Sequence, residues 1–319
     1  MAAGSPDGGG ARAPDDAAGA IHPFRNPFNR GRAKARQEGA TRRGAILPPH
    51  TRYGDVMSRP LALVTGASAG IGAAFARHLA AQGYDLALTA RRADRLKALA
   101  DEIAPTGARA IILPVDLSQP GAGAQIAGAL AGEDRLEALV NNAGYGLPGG
   151  FGDTAWQDQS AFLQVLLTAP LELIHRLAPA MRARGRGRIV NVASLAGLVP
   201  GGAGHSLYAS VKSAMIRASQ SLHLEMAPDG VHVSALCPGL TWSEFHDVNG
   251  MREQLNRATP AWLWQSAEAV VSAGWRAVEA NRPVCVPGLH NKAIAALARV
   301  IPDEAVMGLM KAAPGLRKP

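Results

Sequence analysis

The chain has 319 residues, of which 47% are hydrophobic and 18% charged, and its formal net charge is +8. This length suits one or two domains with a buried core. Cys237 and Cys285 are the only cysteines, which excludes a disulfide framework and predicts a reducing, cytoplasmic location. The sequence has no continuous run of about 18 apolar residues, so no transmembrane segment is predicted. It has no CxxC pair or histidine cluster, so no metal site is predicted.

Residues 1–57 differ in composition from the rest of the chain. They are rich in glycine, proline and arginine. They hold nine basic and five acidic residues, and this excess of four positive charges is half of the net charge of +8. We predict a disordered basic N-terminal extension, because this segment has too little apolar surface to order itself. Met57 is a candidate start of translation. A basic tail can bind nucleic acid or an anionic membrane, but a solvated tail is the simpler interpretation, and no nucleic-acid partner is expected.

From Leu61 onwards, short apolar runs alternate with alanine-rich helical patterns. This alternation predicts an α/β fold, a doubly wound parallel sheet covered by helices on both faces, in one domain over residues 58–290. A C-terminal helical tail over residues 291–319 follows, with two short helices broken near Pro302. The predicted strands are Leu61–Thr65, Tyr84–Ala90, Arg109–Val115, Leu136–Asn141, Arg188–Ala193, Val231–Leu236 and Pro283–Val286. The predicted helices are Gly70–Gln82, Ala93–Ala104, Gln125–Ala131, Trp156–Ala183 (as one or two helices), Ser206–Met226 and Ala267–Glu279.

The glycine turn, residues 65–72, joins the first predicted strand to the first predicted helix and reads TGASAGIG. Gly66 permits a turn that a side chain would obstruct. Gly70 and Gly72 let the backbone approach a pyrophosphate, and the helix N-terminus supplies free N–H groups and a favourable dipole. A turn without a ligand is the alternative. The arrangement favours a dinucleotide-binding site.

Two further motifs follow the glycine turn in the same order as in a known family. The sequence NNAG over 141–144 follows the fourth predicted strand, and YASVK over 208–212 lies on a predicted helix. The region from Pro60 to Gly288 thereby resembles the single-domain branch of the short-chain dehydrogenase/reductase family. The resemblance implies a Rossmann fold, a nicotinamide cofactor, a small-molecule carbonyl or alcohol substrate, and a homodimer or homotetramer. It assigns cofactor contacts to Gly66, Ser68, Gly70, Ile71, Gly72, Asp116, Asn142, Ala143, Gly144, Tyr208, Lys212, Pro238 and Gly239.

Tyr208 and Lys212 are four residues apart on a predicted helix, so they share a face. A free tyrosine has a pKa near 10, and a neighbouring ammonium group lowers it. Tyr208 is therefore the candidate general acid/base and Lys212 its electrostatic partner; in the family, this lysine also holds the nicotinamide ribose. We assign Ser194 to the substrate carbonyl by the same resemblance, although it precedes Tyr208 by fourteen residues rather than the family's usual thirteen.

Leu166 departs from the family pattern, in which many members have an asparagine that holds a proton-relaying water. Either the backbone and water relay the proton alone, or turnover is slow. The second case would fit a cofactor-binding regulatory or scaffold protein, which is the rival to an oxidoreductase.

Four aromatic residues, Trp242, Phe245, Trp262 and Trp264, lie in the segment that usually covers the substrate in this family. They would form an apolar lid or simply pack in the core. If they line the pocket, an apolar substrate follows.

The second predicted strand ends in Ala90, Arg91 and Arg92. An acidic residue at this point would accept from the ribose 2′-hydroxyl of NAD and repel the 2′-phosphate of NADP. Guanidinium groups instead pair with phosphate. We therefore predict NADP over NAD, with Arg91 as the main contact and Arg92 either assisting it or solvated; two solvated surface arginines are the alternative.

Overall fold

A computed structural model describes residues 59–312 apart from 203, 205, 246–252, 254–256 and 258. The predicted N-terminal extension, with Met57, and the end of the predicted tail lie outside the described residues.

Seven parallel strands form a single sheet in the order β3-β2-β1-β4-β5-β6-β7. From β1 the chain adds strands outward to β3, and it then returns to place β4 on the other side of β1. The connections on the two sides of this point lie on opposite faces of the sheet. The predicted doubly wound parallel sheet is confirmed. The strands are β1 Leu61–Thr65, β2 Asp85–Thr89, β3 Ala110–Leu113, β4 Leu136–Asn141, β5 Gly187–Val192, β6 Val231–Leu236 and β7 Val284–Cys285.

Helices cover both faces of the sheet, and each face has its own apolar core. On one face α1, α2 and α7 pack over Ala62 and Val64, while on the other α3 and α5 pack over Leu61 and Leu63. Alternate residues of β1 thus serve different cores, which explains a strand that is apolar throughout. The helices are α1 Gly70–Ala81, α2 Ala93–Ile103, α3 Ala122–Ala129, α4 Trp156–Leu163, α5 Ala169–Ala183, α6 Ser206–Met226, α7 Ala267–Glu279, α8 Leu289–Leu297 and α9 Asp303–Ala312.

Helix α3 begins three residues earlier than predicted, at Ala122. The glycines in this stretch resemble helix breakers in the sequence. In the fold, Gly121 precedes the helix with a φ of 80°, and a Cβ on Gly123 would lie 2.6 Å from the Glu172 carboxylate. Gly123 therefore allows α3 to pack closely against α5, a requirement that the local sequence does not reveal.

The segment Trp156–Ala183 consists of α4, a π-helical turn at Gln164–Thr168 and α5. Among the described residues it is the one stretch with the length and composition of a membrane span, with a mean hydropathy of 1.3 in its most apolar window. Half of that window is buried inside the fold, and Leu173 and Met181 belong to the core. The apolar character is therefore explained by packing against the sheet.

The C-terminal helices α8 and α9 lie on either side of Pro302, where the break was predicted. Helix α8 begins at Leu289, before the predicted domain limit at residue 290. The Asn291 side chain is only 3% exposed and donates hydrogen bonds to the Gln265 Oε1 and the Pro287 carbonyl, both at 2.9 Å. The start of the tail is therefore packed into the domain.

Candidate active site

The glycine turn lies at the carboxyl edge of the sheet, beside the point where the strand order reverses. Gly66 and Gly70 have φ values of 64° and 55°, which disfavour other residues. A Cβ on Gly66 would come within 2.7 Å of the Ala143 Cα. Ala69 precedes α1 in an extended conformation, and its side chain does not cap the helix. The first N–H groups of α1 therefore suit an anion such as a pyrophosphate.

Gly72 has a packing role that the sequence did not indicate. A Cβ at this position would lie 2.2 Å from the Gly66 carbonyl oxygen and 2.4 Å from the Asn142 amide nitrogen. Close contact between α1 and the turn below it therefore requires glycine here, whether or not a ligand binds.

Thr65 and Asn142 join the glycine turn to the end of β4. The Thr65 hydroxyl accepts from the backbone N–H groups of Asn142 and Ala143, at 2.9 and 3.0 Å. The Asn142 side chain donates to the carbonyls of Thr65 and Gly66, at 2.9 and 3.2 Å. These bonds set the shape of the groove floor, and Thr65 is a contributor that sequence reasoning missed.

Ser194, Tyr208 and Lys212 come together after β5 and on α6. Ser194 begins a short 3-10 turn, and its hydroxyl accepts from the Ala196 N–H at 3.1 Å. The Lys212 ammonium donates to the Val192 carbonyl at 2.8 Å and lies 5.8 Å from the centre of the Tyr208 ring. The three predicted catalytic side chains therefore occupy one small region at the carboxyl edge.

Burial dominates the ionisation of this group. It raises the pKa of Tyr208, and a hydrogen bond from the Ser194 hydroxyl opposes that rise. It also lowers the pKa of Lys212 to about 8. In the protein without a bound cofactor, the pKa of Tyr208 is therefore raised rather than lowered as predicted, because loss of solvation disfavours the phenolate.

Leu166 lies in the π-helical turn between α4 and α5 and is 3% exposed. A Cβ on Gly144 would lie 3.7 Å from the Leu166 Cγ. The leucine therefore fills apolar space beside the NNAG segment, where an asparagine would present an amide.

Residues 238–245, which we call the strap, follow β6. The Leu195 N–H donates to the Pro238 carbonyl at 2.8 Å, and a Cβ on Gly239 would lie 2.4 Å from the Asn291 Oδ1. The start of the strap is therefore fixed between the Ser194 loop and α8. Asn291 is a supporting residue with no sequence signal.

The aromatic residues after β6 divide between the two predicted roles. The Phe245 ring lies 5.9 Å from that of Tyr208, so it faces the site. Trp242 stacks on the buried Trp264 at 4.4 Å, and the exposed Trp262 lies against His290 of α8 at 5.8 Å. Phe245 thus fits the lid interpretation, whereas Trp264 is part of the packing.

The two arginines after β2 differ in their contacts. Arg92 donates to the Ser68 hydroxyl at 3.1 Å and pairs with Glu244 at 3.3 Å. Arg91 is exposed, and its guanidinium makes no hydrogen bond or ion pair with another described residue. Arg91 is thus the guanidinium left available to an incoming group.

Asp116, after β3, accepts from the Ser118 N–H at 2.9 Å.

Comparison with known proteins gives a consistent result. A family model described as short chain dehydrogenase matches residues 60–253. The uncharacterized oxidoreductase YxjF of Bacillus subtilis strain 168 is 34% identical over 201 residues, which cover 63% of this chain and 76% of that protein.

Several solved structures are similar to this chain, and the similarity covers most of each solved chain. A short-chain dehydrogenase from Sphingobium yanoikuyae in complex with NADPH is 32% identical, with a TM-score of 0.67, over 82% of this chain and 98% of that one. A bulky-bulky ketone specific alcohol dehydrogenase from Comamonas testosteroni is 29% identical, with a TM-score of 0.65 and the same coverage. A short chain dehydrogenase/reductase from Burkholderia phymatum in complex with NAD is 25% identical, with a TM-score of 0.67, over 76% and 92% of the two chains.

Proposed function

Because the chain belongs to the short-chain dehydrogenase/reductase family, we propose that this oxidoreductase uses NADP(H) to interconvert an apolar ketone or aldehyde and its alcohol. The observation that carries the proposal is the grouping of Ser194, Tyr208 and Lys212 beside the glycine turn. The cofactor class is NAD(P), since related structures hold NADPH or NAD. The preference for NADP(H), the substrate and the residue roles are the parts proposed here.

The nicotinamide, when bound, supplies or accepts the hydride at the substrate carbon. During reduction, the Tyr208 hydroxyl gives its proton to the carbonyl oxygen, and the Ser194 hydroxyl donates a hydrogen bond that orients this oxygen. In oxidation, Tyr208 takes the proton back. The raised pKa of Tyr208 keeps the hydroxyl protonated near neutral pH, so that it has a proton to donate to the carbonyl oxygen.

The residues of the groove fit a dinucleotide. The glycine turn and the uncapped start of α1 suit the pyrophosphate, and the NNAG segment lies beside them. Lys212 would hold the nicotinamide ribose through its ammonium group. Arg91 would pair with the 2′-phosphate, because its exposed guanidinium offers a fork of donors of matching geometry.

The substrate side of the site favours an apolar molecule. Phe245 faces Tyr208, and the buried Leu166 presents no polar group beside Gly144. A structurally similar alcohol dehydrogenase acts on bulky-bulky ketones, and a ketone with two large substituents is therefore the first substrate class to test.

The proposed roles predict the outcome of replacing Tyr208 by phenylalanine. Oxidation of NADPH with a panel of bulky ketones should fall by about 10²–10⁴-fold, because the acid is lost while the ring remains. Tyr84→Phe is the matched control, since it removes a hydroxyl from a tyrosine that packs against Trp275 in the core. Unchanged turnover in Tyr208→Phe would refute the assignment.

Arg91→Ala tests the cofactor preference. The wild type should bind NADPH more tightly than NADH, and the substitution should weaken NADPH alone. Arg109→Ala is the control, because Arg109 is exposed just before β3, at the opposite, amino-terminal edge of the sheet. A wild-type preference for NADH, or equal weakening of both cofactors, would contradict the proposal.

Leu166 supports a second candidate, a protein that binds the dinucleotide for regulation or scaffolding with little turnover. Its apolar side chain cannot hold the water that relays protons in many relatives. Stoichiometric NADPH binding, without oxidation of NADPH by any ketone or aldehyde in the panel, would favour this candidate over the enzyme.

A further inference from the structure

The strap reaches across the sheet. It begins after β6, yet Glu244 pairs with two arginines at the start of α2, which follows β2. Strands β5, β4 and β1 lie between β6 and β2 in the sheet. The strap therefore passes over the place where the strand order reverses, which is where the glycine turn and the NNAG segment form the cofactor groove.

Contacts along the strap agree with this path. A Cβ built on Gly70 would lie 2.9 Å from the Ser243 Cβ, so Ser243 lies over the start of α1. Phe245 packs beside Tyr208. Three consecutive strap residues, 243 to 245, thus touch the glycine turn, the start of α2 and the candidate catalytic tyrosine.

Glu244 is held by two guanidinium groups. Its carboxylate lies 2.5 Å from the Arg95 Nη1 and 3.3 Å from the Arg92 Nη2. The same Arg92 nitrogen donates to the Ser68 hydroxyl of the glycine turn at 3.1 Å. The arginines lower the pKa of Glu244, with the hydrogen bond from Arg95 as the largest cause, so the carboxylate is ionised near neutral pH.

We propose that Glu244 is a positioning residue that fastens the strap across the dinucleotide groove and slows cofactor release. The inference rests on the proposed function, since it requires a dinucleotide beneath the strap. Glu244 acts through Arg92 and Arg95, which are distinct from Arg91, the proposed partner of the 2′-phosphate. The clasp formed by Glu244, Arg92 and Arg95 therefore serves NADPH and NADH alike.

The experiment measures cofactor dissociation rates by stopped-flow fluorescence in the wild type and in Glu244→Gln. Loss of the carboxylate charge should raise the dissociation rates of NADPH and NADH by a similar factor, about three- to tenfold, because both ion pairs are partly exposed and each contributes modestly. The thermal midpoint of the cofactor-free protein should stay within about 2 °C of the wild type, which separates retention from folding.

Two further variants sharpen the result. Glu102→Gln is the matched control, because Glu102 makes a similar exposed pair with Arg77 at 2.7 Å between α2 and α1, and it should leave both rates unchanged. The double variant Arg95→Glu with Glu244→Arg restores an opposite-charge pair at this position. The double variant should release the cofactor nearly as slowly as the wild type does, whereas Arg95→Glu alone and Glu244→Arg alone should release it faster.

The outcomes separate this inference from the proposed function. If the wild type binds neither dinucleotide, both fail together. If it binds them and Glu244→Gln leaves the dissociation rates unchanged, the clasp alone is wrong. If Glu244→Gln tightens the binding of NADPH but not of NADH, the clasp is also wrong, because Glu244 would then compete with the 2′-phosphate for Arg92.

Discussion

The floor of the groove and the strap above it are held by different kinds of contact. In the floor, backbone meets backbone: a Cβ on Gly66 or Gly72 would come within 2.7 Å of main-chain atoms of the opposite segment. The strap is joined to α2 by charged side chains that are each more than 40% exposed. Close backbone contact tolerates almost no change, whereas exposed side-chain contacts break at low cost. The difference suggests a rigid floor and a cover that can open for the cofactor.

The largest effect is expected from Gly72→Ala, in the floor. The added methyl group would meet the Gly66 carbonyl at 2.2 Å, so α1 must move away from the turn. We expect a loss of about 3 kcal/mol in the free energy of unfolding, measured by urea denaturation.

Gly128→Ala is the control for that substitution. Gly128 lies in α3, and a Cβ there would meet no atom within 4 Å. Alanine should raise stability by about 0.5–1 kcal/mol. Equal effects of the two substitutions would show that the floor is no more tightly packed than the surface.

Asn291→Ala tests how far the strap depends on α8. The amide holds Gln265, whose backbone N–H donates to the Leu240 carbonyl and whose carbonyl accepts from the Trp242 N–H, both at 2.9 Å. We expect a loss of about 1–3 kcal/mol in the free energy of unfolding, because two acceptors lose a buried donor. The exposed neighbour Lys292→Ala should change stability by less than about 0.5 kcal/mol. A similarly small effect of Asn291→Ala would mean that the strap does not need α8.

The pH dependence of cofactor use tests the charge on Lys212. Its pKa of about 8 makes the side chain cationic below that pH and neutral above it. In the reduction direction, kcat/KM for NADPH should therefore be level below pH 8 and fall tenfold per unit well above it. Tyr208 does not account for a fall near pH 8, because burial raises its pKa above the ordinary value. Initial rates from pH 6 to pH 10 would measure this, and a level profile up to pH 10 would contradict it.

The smallest effect on stability is expected from Trp242→Ala, in the strap. The ring is partly exposed and stacks on one side of Trp264. Its removal should cost about 1 kcal/mol in the free energy of unfolding. A loss as large as that of Gly72→Ala would place the strap with the floor as part of the rigid fold.

Several parts of the fold were predictable because they depend on local pattern. The bounds of β1, β4, β6, α6 and α7 agree with the predicted ones, since apolar runs and helical periodicity set them directly. The start of α3 was missed because Gly123 serves a contact with α5 rather than its own helix. The π-helical turn at Leu166 likewise has no signal in its own residues.

The sequence by itself determined the order of the elements, the glycine turn and the placement of Ser194, Tyr208 and Lys212 at one edge of the sheet. The order of the elements follows from strand and helix periodicity, and the glycine turn from its position between a strand and a helix. The grouping of the three side chains was implied by the resemblance to the family. Only the tertiary structure decided that Glu244 meets Arg92 and Arg95, 152 and 149 residues away, and that Asn291 supports the strap. It also decided that burial raises the pKa of Tyr208, opposite to the lowering predicted from Lys212. Contacts of this kind depend on strand order and desolvation, which the neighbouring residues along the chain do not determine.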